Sequence, residues 1–364
     1  PARAPEEAPR PEPRVGLGID IGGSGIKGAL VDRDTGLLLT DRIRLKTPKP
    51  ATPKECIKAV RDLVGRIGHS HSMPPDAPAG VGIPAAVIDG ITVTAVNIDD
   101  AWLGFAAADA MSEALQRPTT VLNDADAAGV GEMRFGAGKG ERGTVVVVTL
   151  GTGVGTALFH DGRLLPNTEL GHIEVRGKDA ELRASAASRT RRHLSWAAYA
   201  SELDEYLHKL DMLIWPDLMI IGGGISKSAD RFLPRLTVRA RVVAAENRNN
   251  AGIVGAATVA AEAVAAQLYV EMLKSGFSAI GEFQYLHHQP DGIPYENPAQ
   301  LSLRCIAAAD SAGIAITILP SLYSFGGFGG QEAAPAQRRF VNTADNYLKI
   351  HEVLCKSCEH PLRF

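Results

Sequence analysis

Two α/β lobes built on one repeated plan are what this sequence predicts, and three observations predict them. The motif Ile19-Asp20-Ile21-Gly22-Gly23-Ser24-Gly25-Ile26-Lys27-Gly28-Ala29-Leu30 returns in altered form as Val148-Thr149-Leu150-Gly151-Thr152-Gly153-Val154-Gly155-Thr156-Ala157-Leu158. Each copy reads as apolar strand, glycine and hydroxyl turn, apolar strand. After each copy the pattern moves to helix-period stretches and further short strands, the α/β alternation of a doubly built fold. At 364 residues with 45% apolar content the chain suits two or three domains with substantial cores.

The elements follow in order. Residues 1–14 are Pro, Ala, Glu and Arg without a large apolar side chain, a composition that predicts a disordered Pro-rich tail. Val15 to Leu45 gives three strands joined by the glycine turn and by Asp34-Thr35-Gly36. A helical pattern over Pro53–Ile67 and a Pro-rich loop through Pro78 come next. The strand Ala79–Val87, the turn Asp89-Gly90 and a helix around Phe105–Leu115 lead to a short strand ending at Asn123-Asp124. In the second lobe the pattern predicts strands Thr144–Leu150 and Gly155–Leu164, then helices through Ser185–Leu213. The strand Leu218–Ile221 stops in Gly222, Gly223 and Gly224 before a helix from Ser226. Three glycines there leave room for a flat ligand against backbone or for close packing.

Glycine turns of this kind let backbone N–H groups approach a phosphate directly, so two facing copies make a phosphate clamp of Gly22, Gly23, Ser24, Gly25 and Lys27 against Gly151, Thr152 and Gly153. The entering strand carries a carboxylate, Asp20, in the first copy and Thr149 in the second. A metal–phosphate task therefore falls on the first copy, which implies phosphoryl transfer. Neither turn ends in Gly-Lys-Ser/Thr or has dinucleotide-fingerprint spacing before a helix, which weakens the competing nucleotide folds.

Lys and Arg total 38 against 41 Asp and Glu, a net charge of −3 that gives no reason to expect nucleic acid or an anionic membrane as partner. Four scattered cysteines and the absence of an export pattern at the start make the cytoplasm the expected location. Ala251 to Val270 is long enough to span a bilayer, but it is mostly Ala and Gly and carries Glu262 and Gln267. It reads as a buried helix of a soluble fold.

Five motifs in order, Ile19–Ser24, Asn123-Asp124-Ala125-Asp126-Ala127-Ala128, Leu150–Gly153, Glu169-Leu170-Gly171-His172-Ile173-Glu174 and Ile221–Gly224, resemble the ROK family (repressor, open reading frame, kinase), and within it the polyphosphate/ATP glucokinases. The resemblance spans about 15–265. It implies an actin-like (ribonuclease H-like) two-lobe sugar kinase with duplicated phosphate hairpins, an N-terminal lobe at 15–124 and a C-terminal lobe at 125–265. It also implies glucose and inorganic polyphosphate or ATP as substrates, Mg²⁺ held through phosphates and Asp20, and a homodimer. Asp124 takes the role of catalytic base on the sugar hydroxyl; as a residue read by itself it also suits a helix N-cap. Asn97, Asn123, Glu169, His172 and Glu181 match the family's sugar contacts. Many relatives carry a Cys/His zinc site after the Gly-His pair. Val175-Arg176-Gly177-Lys178-Asp179-Ala180-Glu181 has no cysteine, so structural zinc is not expected in the kinase. With Lys27, the residues Arg176, Lys178, Arg183, Arg189, Arg191 and Arg192 form either a track for a polyanion or a solvated basic face.

Leu268 to about Leu348 resembles an internal piece of formimidoylglutamate deiminase, most clearly in Gly281–Gly292 and Gly326–Gln331. Its pattern Ser278–Tyr285, Pro298–Ala312, Ile314–Leu319 is one strand–helix–strand step of a (β/α)₈ barrel, so residues 266–350 are a partial β/α barrel-like segment. A parallel barrel needs all its strands, and the family's metal ligands have no counterpart here, so this segment is expected to be non-catalytic. Tyr285 matches a substrate contact of that family. His351, Cys355, Cys358 and His360 lie in the 351–364 tail, where incidental cysteines are favoured over a zinc or redox site. Rivals to the glucokinase reading are an ATP-only ROK hexokinase for glucose or mannose and a kinase impaired by its appended segment. Two others are weaker: a sugar-sensing regulator, disfavoured because 1–14 cannot form a helix-turn-helix, and a metal-dependent deiminase.

Overall fold

The computed structural model describes residues 14–357 apart from 75–76, 97, 248–249, 289–293, 296, 327–330 and 335–336, and leaves aside the side chains of 261–267 and 311. The expected disordered tail, apart from Arg14, lies outside the described residues. Arg14 itself is tied down: its carbonyl accepts from Arg33 N at 2.9 Å and its guanidinium pairs with Asp34 at 3.3 Å. The chain divides into two compact units, one spanning Arg14–Ala261 and one starting at Glu262.

The first unit opens with β1 (Val15–Gly22), β2 (Gly25–Asp32), β3 (Ile43–Leu45), α1 (Pro53–Ser70) and β4 (Ala79–Ile83). A small sheet of β5 (Val87–Ile88), β6 (Ile91–Thr92) and β7 (Phe105–Ala106) follows. Then come α2 (Ala107–Leu115), β8 (Thr119–Asn123) and α3 (Asp124–Phe135). The main sheet runs β3-β2-β1-β4-β8, with antiparallel pairing among β1 to β3 and parallel pairing of β1 with β4 and β4 with β8. Thr52 caps α1 by accepting from Glu55 N, and Pro53 stands in the first turn, where its missing N–H is not needed. Cys56, Val60, Leu63 and Ile67 recur at helical spacing, and all four are buried against Leu17, Ile19, Ile26 and Leu30 of the β1–β2 hairpin.

The second half of this unit repeats the plan. It contains β9 (Thr144–Leu150), β10 (Val154–His160), β11 (Arg163–Leu165), β12 (Glu174–Val175), β13 (Lys178–Asp179), α4 (Glu181–Ala184), α5 (Ala186–Arg191), α6 (Trp196–Ile214), β14 (Leu218–Gly222), β15 (Arg241–Ala244) and α7 (Ala251–Lys274), the last crossing the unit boundary. The sheet order β11-β10-β9-β14-β15 mirrors the first sheet strand for strand: hairpin first, parallel crossovers after. Strand alternation splits β9 between two cores: Val146, Val148 and Leu150 pack with α6, while Val145 and Val147 face Val130 and Met133 of α3. Helix α7 is buried from Ile253 to Ala257 against Ala29 and Val31. Its backbone comes so near the first sheet that a Cβ on Gly80 would stand 1.8 Å from the Ala256 carbonyl, which is why strand and helix both use small residues. Among the described residues no helix is long and apolar enough to cross a membrane.

Several boundaries differ from the sequence reading. The strand expected over Gly155–Leu164 is two strands, because Asp161 and Gly162 adopt φ of 49° and 79° and reverse the chain. Ala79–Val87 divides at Pro84, and the segment after the three glycines is 3₁₀ from Gly224 to Arg231, kinked at Ser228.

The second unit holds β16 (Ala279–Gln284), α8 (Gln300–Ala312), β17 (Ala315–Pro320) and α9 (Ala344–Ser357). The two strands pair in parallel, Ala279 with Ala315 through Gln284 with Pro320. Residues 351–357, read from sequence as loose tail, continue α9, because Ile350 and Leu354 at i, i+4 bury against Ala299 and Leu303. Cys355 sits on that helix 3.6 Å from His351 Nδ1, while Cys358 and His360 lie outside the described residues.

Candidate active site

The two glycine turns face each other: a Cβ on Gly23 would lie 3.8 Å from Thr152 Oγ1. Side chains from the β3 segment hold the carbonyls of the first turn. Thr47 Oγ1 donates to Gly22 O at 2.5 Å and Arg44 Nη2 to Ser24 O at 2.9 Å. The second turn is fixed by Gly151 N donating to Gly153 O and by Ala187 N of α5 donating to Gly151 O, both at 3.0 Å. Gly223 has φ of 80°, and a Cβ there would stand 2.4 Å from Leu150 O, so this close approach demands glycine.

Between the turns opens a cleft of about 510 Å³, the size of a small-molecule site. Asp20, Gly22, Gly23, Ser24, Gly25, Lys27, Asn123, Asp124, Gly151, Thr152, Gly153, Glu169, His172, Glu181, Gly223 and Gly224 all line it. Gly222 does not; it ends β14 in register with Thr149. Asn97 lies outside the described residues. Reading the sequence missed Arg42, Arg44, Thr94 and Gly252, which share the wall.

Asp124 is not the helix cap. That role falls to Asn123, whose Oδ1 accepts from Ala125 N at 2.8 Å and Asp126 N at 3.1 Å. The Asp124 carboxyl therefore stands in the first turn of α3, on the cleft wall. Burial, then the charge of Asp20, push its pKa up to about 7. Asp20 itself is held by Lys27 at 2.8 Å, its register partner across the hairpin.

A second polar group gathers on the other side. Asn123 Nδ2 donates to Ala85 O and to Glu169 Oε1, each at 3.2 Å. His172 Nδ1 lies 2.8 Å from Asp179 Oδ2, and its Nε2 lies 4.0 Å from Glu169 Oε2. Burial works against charge on that imidazole, but the Asp179 hydrogen bond and the surrounding carboxylates of Asp179, Glu181 and Glu169 raise its pKa overall. Glu169 is raised by burial, with His172 pulling it down and Glu181 pushing it up. Asp179 Oδ1 also accepts from Glu181 N at 2.9 Å, and Glu181 Oε2 accepts from Val154 N at 3.2 Å. Asp179 is thus the anchor of both His172 and Glu181. Its signal in the sequence is only its spacing, seven residues after the histidine.

The sequence leaves a polyanion track and a solvated face open for the basic residues, and the structure gives local partners to four of them. Arg176 pairs with Glu205, Arg183 with Glu205 at 3.2 Å and Glu202 at 3.8 Å, and Arg192 grips Glu202 through both terminal nitrogens at 2.6 and 2.7 Å. The Arg189 guanidinium lies 3.7 Å from the centre of the Trp196 ring. Helix α6 supplies all of these partners, and of the seven basic residues only Lys27 lines the cleft.

No group of three or more His, Cys, Asp or Glu suited to a metal exists among the described residues. Asp20, on β1 ahead of the first turn and paired with Lys27, is a carboxylate of the cleft wall that could meet a cation held mainly by phosphate oxygens and water.

Duplicated β-sheets, two opposed glycine turns and a carboxyl of raised pKa between them define a kinase of the actin-like class. The chain belongs to the ROK family, whose model matches residues 16–184. It is 47% identical over 245 residues to the polyphosphate glucokinase of Mycobacterium tuberculosis, a match covering 67% of this chain and 90% of that protein. The crystal structure of an inorganic polyphosphate/ATP-glucomannokinase from Arthrobacter sp. strain KM superposes with a TM-score of 0.66 at 47% identity, over 68% of this chain and 98% of that one. A separate segment of 89 residues is 55% identical to formimidoylglutamate deiminase of Pseudomonas aeruginosa, covering 24% of this chain and 20% of that enzyme.

Proposed function

We propose that the chain is a glucokinase that transfers a phosphoryl group from inorganic polyphosphate or ATP to the 6-hydroxyl of glucose. The observation that carries this reading is Asp124, a carboxyl with its pKa near neutrality, set between the phosphate turns and the Asn123–Glu169–His172 group. A sugar hydroxyl is a weak nucleophile, and a carboxylate poised near pH 7 takes its proton as the bond to phosphorus forms. Asn123, Glu169, His172 and Glu181 offer fixed donors and acceptors to a ring of hydroxyls. The turn amides of 22–25 and 151–153 and Lys27 receive the donor phosphates. Mg²⁺, met by Asp20, would neutralise charge on the phosphoryl group. We read the second unit as an appended, non-catalytic segment, a reading supported by its match to a short internal piece of a longer enzyme and by the His287 ring, which is engaged with Ser321 O at 2.8 Å.

A coupled assay of glucose 6-phosphate formation with Mg²⁺, run with polyphosphate or ATP as sole donor and with glucose or mannose as acceptor, tests the proposal. Turnover of glucose with polyphosphate is the expected result; failure with both donors in protein that still binds glucose would overturn it.

A further inference from the structure

We propose that Arg44 binds the outgoing phosphates of an inorganic polyphosphate donor and so favours a long phosphate chain over a nucleotide, an inference that rests on the function proposed above. Three charged residues form one row across the first sheet, because Asp20 registers with Lys27 and Lys27 with Arg44. Like charges directly opposite on neighbouring strands repel. Lys27 is answered by Asp20 at 2.8 Å, but no carboxylate among the described residues answers Arg44. The protein contacts of its guanidinium are Ser24 O at 2.9 Å and Ser24 Oγ at 3.5 Å, both through Nη2.

The guanidinium lies over the tip of the first phosphate turn. A Cβ on Gly25 would come within 2.6 Å of Arg44 Nε and 2.8 Å of Cζ, so glycine there is what lets the side chain seat. Nε and Nη1 keep their donors, and a guanidinium fork matches phosphate oxygens in pairs. The contrast with the second lobe decides the assignment. Arg176, Arg183 and Arg192 are neutralised by Glu202 and Glu205, whereas Arg44 is an uncompensated cation on the cleft wall. Arg44 is exposed at the tip of the turn, so its remaining donors reach phosphates beyond those that the turn amides hold, and an inorganic chain offers more of these than a nucleoside triphosphate does.

The test compares wild type, Arg44→Gln and Arg44→Lys in full-length protein, with KM measured for long-chain polyphosphate, ATP and glucose over a series of NaCl concentrations. For Arg44→Gln the KM for polyphosphate is expected to rise at least tenfold, with KM for ATP changed less than threefold and KM for glucose less than twofold. The salt dependence of the polyphosphate KM should flatten, because one counterion-releasing contact is lost. Arg44→Lys should recover part of the loss, keeping charge without the fork. Unchanged polyphosphate KM, or equal rises for polyphosphate and ATP, would overturn the role of Arg44 alone. A wild type without polyphosphate turnover would overturn the donor assignment and this inference with it.

Discussion

At the scale of one residue, the proposed base is Asp124. Its carboxyl stands at a helix start, where the dipole favours negative charge, yet burial and the neighbouring Asp20 outweigh that help and bring the pKa to about 7. A base works only when deprotonated. Below pH 7 the protonated fraction grows, and log(kcat/KM) for the sugar is expected to fall by about one per pH unit. A profile flat from pH 5 to 8 would remove Asp124 from the role. Asp124→Asn should lower kcat by about 10² to 10⁴-fold while glucose binding, read by intrinsic fluorescence or calorimetry, persists. The fold should not suffer, since a neutral amide avoids the buried charge. The motif Asn123-Asp124 was visible in the sequence, but which of the two caps the helix was not. Both types cap well, and only the chain's path into α3 puts Asn123 outside the helix and Asp124 inside it.

At the scale of elements, the lobes were legible wherever one residue pattern decides one structure: the two glycine hairpins, the 3.6-residue stripe of α1, the apolar runs of β9 and β14. What stayed hidden were features made by residues far apart in sequence. Arg176, Arg183 and Arg192 read as a basic track because their partners lie on α6, beyond any local pattern. Asn167 is the clearest case. At φ of 60° it turns its side chain onto β5, accepting from Val87 N and donating to Val87 O, each at 2.9 Å. Its own N–H donates at 2.8 Å to Asp126, a buried carboxylate of α3 whose pKa burial raises to about 7. One residue thus ties the small sheet, α3 and the loop leading to Glu169. Asn167→Gly keeps the left-handed backbone and deletes the clasp. Losing two hydrogen bonds should cost about 1 to 3 kcal/mol of stability. Because the loop carries Glu169, the KM for glucose should rise severalfold while that for the donor stays within twofold. Equal losses on both substrates would mean that Asn167 serves stability alone.

For the whole molecule, the balance of cores decides what the appended segment contributes. Both five-stranded sheets and every described cleft residue belong to Arg14–Ala261, and the buried stretch of α7 runs on through Val259, packed beside Val130 and Met133, to Ala260. The second unit has two small apolar clusters, around Tyr269 and Ala309 and around Ile350 and Leu354, and a two-stranded parallel sheet. Two parallel strands, all that the described residues of this unit provide, cannot close a barrel, and large apolar side chains stand open: Phe283 on β16 is 63% exposed and Phe325, in the loop after β17, 58%. Relatives that align over 90% or more of their own length do so without this segment. A chain ending at Gln267 retains Ile253 to Ala260 and removes Tyr269 onward. It is expected to keep kcat and both KM values within about twofold of the full chain, and to show less self-association in light scattering, because the open apolar strands are gone. The full chain, supplied with zinc or iron and formimidoylglutamate, should release no ammonia. If the shortened chain instead loses turnover while remaining folded by circular dichroism, the segment from Leu268 onward contributes to the kinase, and the appended unit has acquired a role that its sequence relatives do not need.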